Sequence, residues 1–175
     1  MKKFYIVLSR SGTILARAIR IFTKKYYNHT SISFERSLNT FYSFGRRNPR
    51  LMFPAGFITE GVHSGFFALH PKTKICVLEG EMSEEAFCGV QKKLEPFIRE
   101  PKKYKYGILQ MLKMMTGKPY RSQDHYVCSV FAAYLLDDYF DFGKDYSLVY
   151  PEDFYIFDFK KIYEGTTGEY EYEKQ

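Results

Sequence analysis

The chain has no tryptophan, only three cysteines and no long apolar run, and each scarcity removes a class of protein. Cys76, Cys88 and Cys128 are odd in number and lack CxxC spacing, which argues against a disulfide framework and suits a reducing compartment. No stretch approaches the roughly 18 apolar residues that a membrane span needs, so stable membrane insertion is not expected. The start, Met1-Lys2-Lys3-Phe4-Tyr5-Ile6-Val7-Leu8-Ser9-Arg10, imitates a signal peptide, but its apolar run is five residues long and Arg10 interrupts before any small-residue cleavage site. It reads as a first strand, and a cytoplasmic protein is expected. Internal repeats, low-complexity tracts, a P-loop pattern and nucleic-acid-binding motifs are likewise missing.

What is present is an ordinary globular composition with an aromatic bias. The 175 residues suit one domain, 1–175, burying a full core. Hydrophobic residues are 45% and aromatics 19%, from 16 Tyr and 17 Phe, which excludes disorder and favours a strand-containing core. The net charge of +6 permits attraction to anionic surfaces. Its basic residues are scattered, however, at Arg46, Arg47 and Arg50, at Lys92 and Lys93, and at Lys102, Lys103 and Lys105. A nucleic-acid partner would rest on charge alone and is not expected.

Periodicity sketches the elements. Residues 4–8 form a strand, and Thr13 caps a helix whose Ile14, Ala18, Ile21 and Phe22 share a face. Residues 30–34 and 40–44 read as a hairpin about a five-residue turn at 35–39. Glycines and prolines crowd 45–65, which reads as a long surface loop. A strand over 73–79 precedes a helix capped by Ser83, opened by Glu84 and Glu85, and running to about Arg99, with Pro96 expected to kink or shorten its end. A helix over 106–115 has methionines that read as core filler. Val127, Phe131, Tyr134 and Leu135 mark a further helix, Tyr150-Pro151-Glu152-Asp153-Phe154 a turn into one helical turn, and 157–163 a last strand.

The chemistry concentrates on Cys128, in the first turn of that apolar helix, where unpaired amides and the helix dipole favour a thiolate. His29, in Asn28-His29-Thr30-Ser31-Ile32-Ser33-Phe34, stands at the mouth of a hairpin strand. A thiol with an imidazole as base and an amide to hold an oxyanion, here the N–H of Cys128 itself, is a nucleophilic acyl-transfer set. The hairpin register places Ser43 near His29 as the third catalytic group, with the Tyr42 phenol and Glu60 as rivals. Cys76 and Cys88 read as small buried hydrophobes. His125, three residues before Cys128, suggests a metal site with His63 or His70, but no four-ligand spacing appears, and neither metal nor cofactor is expected. Tyr104 and Tyr106 read as packing before cleft lining. Gly45-Arg46-Arg47 offers an anion fork, and Ser9-Arg10-Ser11-Gly12-Thr13 offers helix-start amides; a solvated loop and a capped helix are the simpler readings.

These residues carry a resemblance. Asn-His-Thr-Ser-Ile-Ser at 28–33, Phe-Tyr-Ser-Phe-Gly-Arg at 41–46, Tyr-Lys-Tyr-Gly at 104–107, Tyr-Val-Cys-Ser at 126–129 and Tyr-Pro-Glu-Asp-Phe at 150–154 resemble, in this order, the circularly permuted NlpC/P60 papain-like hydrolases. The branch is YiiX/YebB-like, with lecithin:retinol acyltransferase a distant relative. The resemblance implies an α+β fold in which a small antiparallel sheet or half-barrel packs against helices, with the histidine strand preceding the cysteine helix. It implies acyl transfer through a thioester, on a small peptide, amide or lipid substrate, by Cys128 and His29. The departure is Ser43, where such families usually place Glu, His, Asn or Gln. A thiol amidase or peptidase is expected, with a binding module that kept the fold but lost the chemistry as its competitor.

Overall fold

The computed structural model describes residues 1–10, 26–48, 50–51 and 53–172. The helix expected from Thr13, with Ile14, Ala18, Ile21 and Phe22, and most of the 9–13 anion site lie outside the described residues.

The described chain is α+β, with helices around one eight-stranded sheet. The strands are β1 (Lys2–Arg10), β2 (His29–Ser33), β3 (Phe41–Arg46), β4 (Ala55–Glu60), β5 (Lys74–Met82), β6 (Lys105–Tyr106), β7 (His125–Tyr126) and β8 (Lys160–Thr166), in spatial order β7-β6-β4-β3-β2-β1-β5-β8. The helices are α1 (Gly65–Leu69), α2 (Glu84–Arg99), α3 (Ile108–Met115) and α4 (Cys128–Leu136). Tyr146–Leu148, Pro151–Ile156 and Thr167–Glu169 form 3-10 turns.

β1 is apolar on both faces because both faces of the sheet are covered. Phe4, Ile6 and Leu8 point into a large core with Ile32, Phe44, Phe57, Leu78 and the buried side of α4, while Tyr5 and Val7 join a second core with Leu38, Phe41, Val62, Phe67 and Val77. Such a strand reads as an unbroken apolar run rather than an alternating one. α4 is buried almost all round, Cys128 to Ala133 and Leu135 to Leu136 included, so it is the central helix of the first core. The Ser83 hydroxyl caps α2 by accepting the Ala86 N–H at 3.1 Å. Pro96 does not shorten α2, which continues to Arg99 because a proline near a helix end costs only a bond already close to the frayed turn.

Two expectations are corrected. The sheet is not small, and it is not wholly antiparallel, since β6 and β7 pair in parallel. Residues 45–65 are not one long loop: β4 runs beside β3 over six paired positions, and α1 follows. The glycines there serve close approach, as Gly56 shows. A Cβ on it would lie 2.3 Å from the Tyr104 carbonyl oxygen. β6 and β7, at two residues each, are too short to show any period.

Candidate active site

α4 begins where the first core meets β2, and its start is fixed by polar ties. The Val127 N–H donates to the buried Gln110 Oε1 at 2.8 Å, and Gln110 Nε2 donates to the Tyr120 carbonyl at 3.1 Å. The Ser129 hydroxyl donates to the Val149 carbonyl at 2.6 Å. These bonds set the first turn between α3 and the 3-10 turn at Pro151–Ile156. Gln110 had no role in the sequence reading, although a glutamine inside an otherwise apolar helix is the signal that such a tie leaves.

β2 and β3 follow the expected hairpin register, with Ile32 opposite Tyr42. Cross-strand alternation puts Thr30 and Ile32 on the side of the α4 core and His29, Ser31 and Ser43 on the other. Near His29 side-chain bonds take over. The Ser43 hydroxyl donates to the Thr30 carbonyl at 2.6 Å, and Ser43 Oγ lies 3.1 Å from His29 Nε2. Ser31 Oγ is farther from the same nitrogen, at 3.4 Å. The Cys128 sulfur faces the Thr30 N–H from the α4 side of β2, whereas the His29 ring lies on the Ser43 side. The structure thus brings Ser43 to His29 but joins neither to the thiol by a hydrogen bond, and His29 does not line the cavity at Cys128.

The single proton of Ser43 decides the imidazole tautomer. It is spent on the Thr30 carbonyl, so the His29–Ser43 bond takes its proton from Nε2–H and leaves Nδ1 with the lone pair. Ser43 therefore orients the ring as an acceptor, and its own hydroxyl is held in turn. The two rivals lie elsewhere. Tyr42 points to the other face and stacks on Phe57 with ring centroids 6.2 Å apart, and Glu60 accepts the Phe66 N–H at 3.3 Å.

Electrostatics corrects the expectation of an acidic thiol. The N–H groups of Thr30, Ser129 and Cys128 itself favour the thiolate, but burial outweighs them and holds the thiol above its ordinary value. Burial also lowers the His29 imidazole, with the Arg46 guanidinium adding to the effect, to about 4. The resting pair is a neutral thiol and a neutral imidazole. A helix start acidifies a thiol only when water or a counter-charge shares the work, and this sulfur is 3% exposed.

Cys128 lines a small cavity of about 30 Å³ with Tyr27, Tyr106, Met111, Met114 and Tyr150. The methionines of α3 are thus cavity wall as well as filler. Tyr106 is more than packing too: burial and the nearby Cys128 sulfur raise its phenol, which stays a hydrogen-bond donor. Tyr104 instead stacks on Phe97 with centroids 4.1 Å apart.

The remaining candidates are engaged away from the thiol. Arg47 donates from one Nη to the carbonyls of Pro101 and Tyr104, each at 2.7 Å, and Arg46 lies over the Phe66 ring, so neither reads as a solvated loop residue. His125 Nδ1 lies 2.6 Å from Asp124 Oδ1, and His63 Nε2 lies 3.1 Å from the Tyr170 carbonyl oxygen. Among the described residues no group of three or more His, Cys, Asp or Glu comes together to hold a metal. Cys76 is buried and accepts the Tyr155 hydroxyl at 3.3 Å, whereas Cys88, expected to be buried, is exposed. No helix among the described residues is long and apolar enough to cross a membrane. No protein-family model, curated protein or solved structure matches the chain.

Proposed function

We propose that the chain is a cysteine-dependent acyl-transfer hydrolase of the amidase or peptidase type, built on a permuted papain-like fold and working in a reducing, cytoplasmic setting. Cys128 is the nucleophile, His29 the base and then the acid, and Ser43 the residue that positions the imidazole. The observation that carries the reading is the junction at Thr30. Its N–H meets the thiol, and its carbonyl locks the serine that holds the histidine with Nδ1 unprotonated.

In this reading the His29 ring must turn from the Ser43 side of β2 toward the cavity as substrate docks. Nδ1 then takes the thiol proton as sulfur attacks the carbonyl carbon, and the Cys128 N–H and the protonated Tyr106 phenol are the donors on the cavity side for the oxyanion. The imidazolium then returns its proton to the leaving amine or alcohol as the tetrahedral adduct collapses to a thioester. Water, deprotonated by His29, releases the acid and restores the thiol. Because the resting pair is neutral, the nucleophile forms only as a docked carbonyl draws on it. The same neutrality favours the competing reading, a binding module of this fold with weak chemistry, which is what a serine in place of a carboxylate or amide would leave.

Intact-protein mass spectrometry with a panel of acyl thioesters and N-acyl amides separates the two. The hydrolase gives an acyl adduct confined to Cys128, absent in Cys128→Ala and slowed in His29→Ala by roughly 10²–10⁴-fold, the usual weight of a general base. Acyl transfer to Cys88 alone, or none with retained ligand binding, establishes the binding module.

A further inference from the structure

α3 is an unusual surface element. Four of its eight residues are large apolar side chains left exposed on one side: Ile108, Leu109, Leu112 and Met115, between 37% and 52% exposed. Their spacing, i, i+1, i+4 and i+7, is that of one helix face. The opposite face holds Gln110, Met111 and Met114 against the first core and the Cys128 cavity. The helix is therefore apolar on both sides: the inner side is packed, and the outer is exposed except at its margin, where Met115 also reaches the cavity wall.

Charge along the chain through this helix has one sign. From Pro101 to Gln123 the sequence holds Lys102, Lys103, Lys105, Lys113, Lys118 and Arg121 and not one Asp or Glu. Arg121 is paired with Asp145 at 3.0 Å, but among the described residues Lys102, Lys105, Lys113 and Lys118 enter no ion pair. The backbone keeps two of them at the ends of α3. Lys105 is held in β6 beside β7, and the Lys118 N–H folds back to the Lys113 carbonyl at 3.0 Å.

We propose that α3 docks the protein on an anionic lipid surface, its Ile108, Leu109, Leu112 and Met115 entering the interface and its lysines meeting the headgroups. An exposed apolar helix face set in a stretch of chain whose only charges are cationic is what peripheral attachment to acidic lipid requires. It needs no spanning segment. A soluble partner protein would be served as well by the apolar face, but it gives no reason for the missing acids. Docking also places the Cys128 cavity, whose wall is the inner side of the same helix, next to the lipid. The attachment itself does not depend on the thiol's chemistry.

The absence of tryptophan gives a clean probe. Full-length Leu109→Trp is expected to show a blue-shifted, brighter emission with phosphatidylglycerol-containing vesicles and none with pure phosphatidylcholine. In flotation, Leu109→Glu with Leu112→Glu weakens binding at least tenfold, and Lys105→Gln or Lys118→Gln each weakens it roughly fivefold, about 1 kcal/mol per basic residue. All these side chains are exposed, so far-UV circular dichroism should report unchanged folding. Equal binding to both vesicle types, no binding to either, or a double glutamate variant that floats like the wild type overturns the proposal. So does sedimentation showing that the double variant's only effect is to dissociate a pair of chains.

Discussion

The three thiols differ in the two quantities that govern alkylation, exposure and proton affinity. Cys88 is exposed, whereas Cys128 and Cys76 are buried and raised above their ordinary value of 9.0. Iodoacetamide at pH 8 is therefore expected to label Cys88 first, with Cys128 gaining speed only above pH 9; peptide mapping over time reads the order, and a Cys128 that leads at pH 7 would contradict the neutral pair. His29 adds a pH dependence to stability. The unfolded imidazole binds a proton below about 6.5 and the folded one only near 4, so its contribution is complete above pH 6.5 and is lost as pH falls to 4, by up to roughly 3 kcal/mol. Urea unfolding of His29→Gln should lose less stability between those limits than the wild type does, and parallel losses would show that His29 titrates normally. Thr30 carries an opposite liability. Its hydroxyl is buried without a partner, so Thr30→Val is expected to raise the melting temperature, since an orphaned buried hydroxyl costs about 1–3 kcal/mol. A fall would mean that the hydroxyl has found water or a ligand.

Elements whose cause is local were legible. The cap at Ser83, the turn between β2 and β3 and the apolar helix after Val127 each carry their own signal, and Ser83→Ala is expected to cost about 1 kcal/mol by thermal melting. Ser43 was legible for the same reason, because hairpin register alone puts it beside His29. What was not legible depends on tertiary partners. β4 looks like loop because Pro54 and Gly61 bracket it and Gly56 lies within it, yet Gly56 is there to let the Tyr104 carbonyl and the Arg47 guanidinium approach. Gly56→Ala has no room on either side, with backbone at 2.3 Å and the guanidinium at 2.6 Å. It should lower stability by several kcal/mol through overpacking and displacement of β6, and a variant with unchanged urea midpoint would show that β6 is not held there. The thiol's proton affinity was illegible on the same grounds. A helix start is written in the sequence, but the depth at which the fold buries it is not.

At the scale of the molecule, one sheet separates two cores and belongs to both. β1 contributes Phe4, Ile6 and Leu8 to one side and Tyr5 and Val7 to the other, so neither core can lose its sheet face without stripping the other. The edges are protected differently: β7 is two residues long, and β8 carries Lys160, Lys161 and Glu164, both of which discourage pairing with another chain. A shared sheet implies one cooperative unit. Phe131 is fully buried among Phe44, Phe57 and Phe97, with centroids 5.0 to 5.6 Å away, and in the second core Phe41 packs on Phe67 at 5.5 Å. Phe131→Ala is expected to cost roughly 3–5 kcal/mol and Phe41→Ala a similar amount. Because they belong to separate cores and share no aromatic ring contact, their losses should add to within about 0.5 kcal/mol in a destabilised but folded background. Far-ultraviolet dichroism and the near-ultraviolet tyrosine signal should report the same midpoint in each variant. If Phe41→Ala instead splits the two signals while Phe131→Ala does not, the second core melts on its own, and the sheet is a boundary between two folding units rather than the plane that joins them.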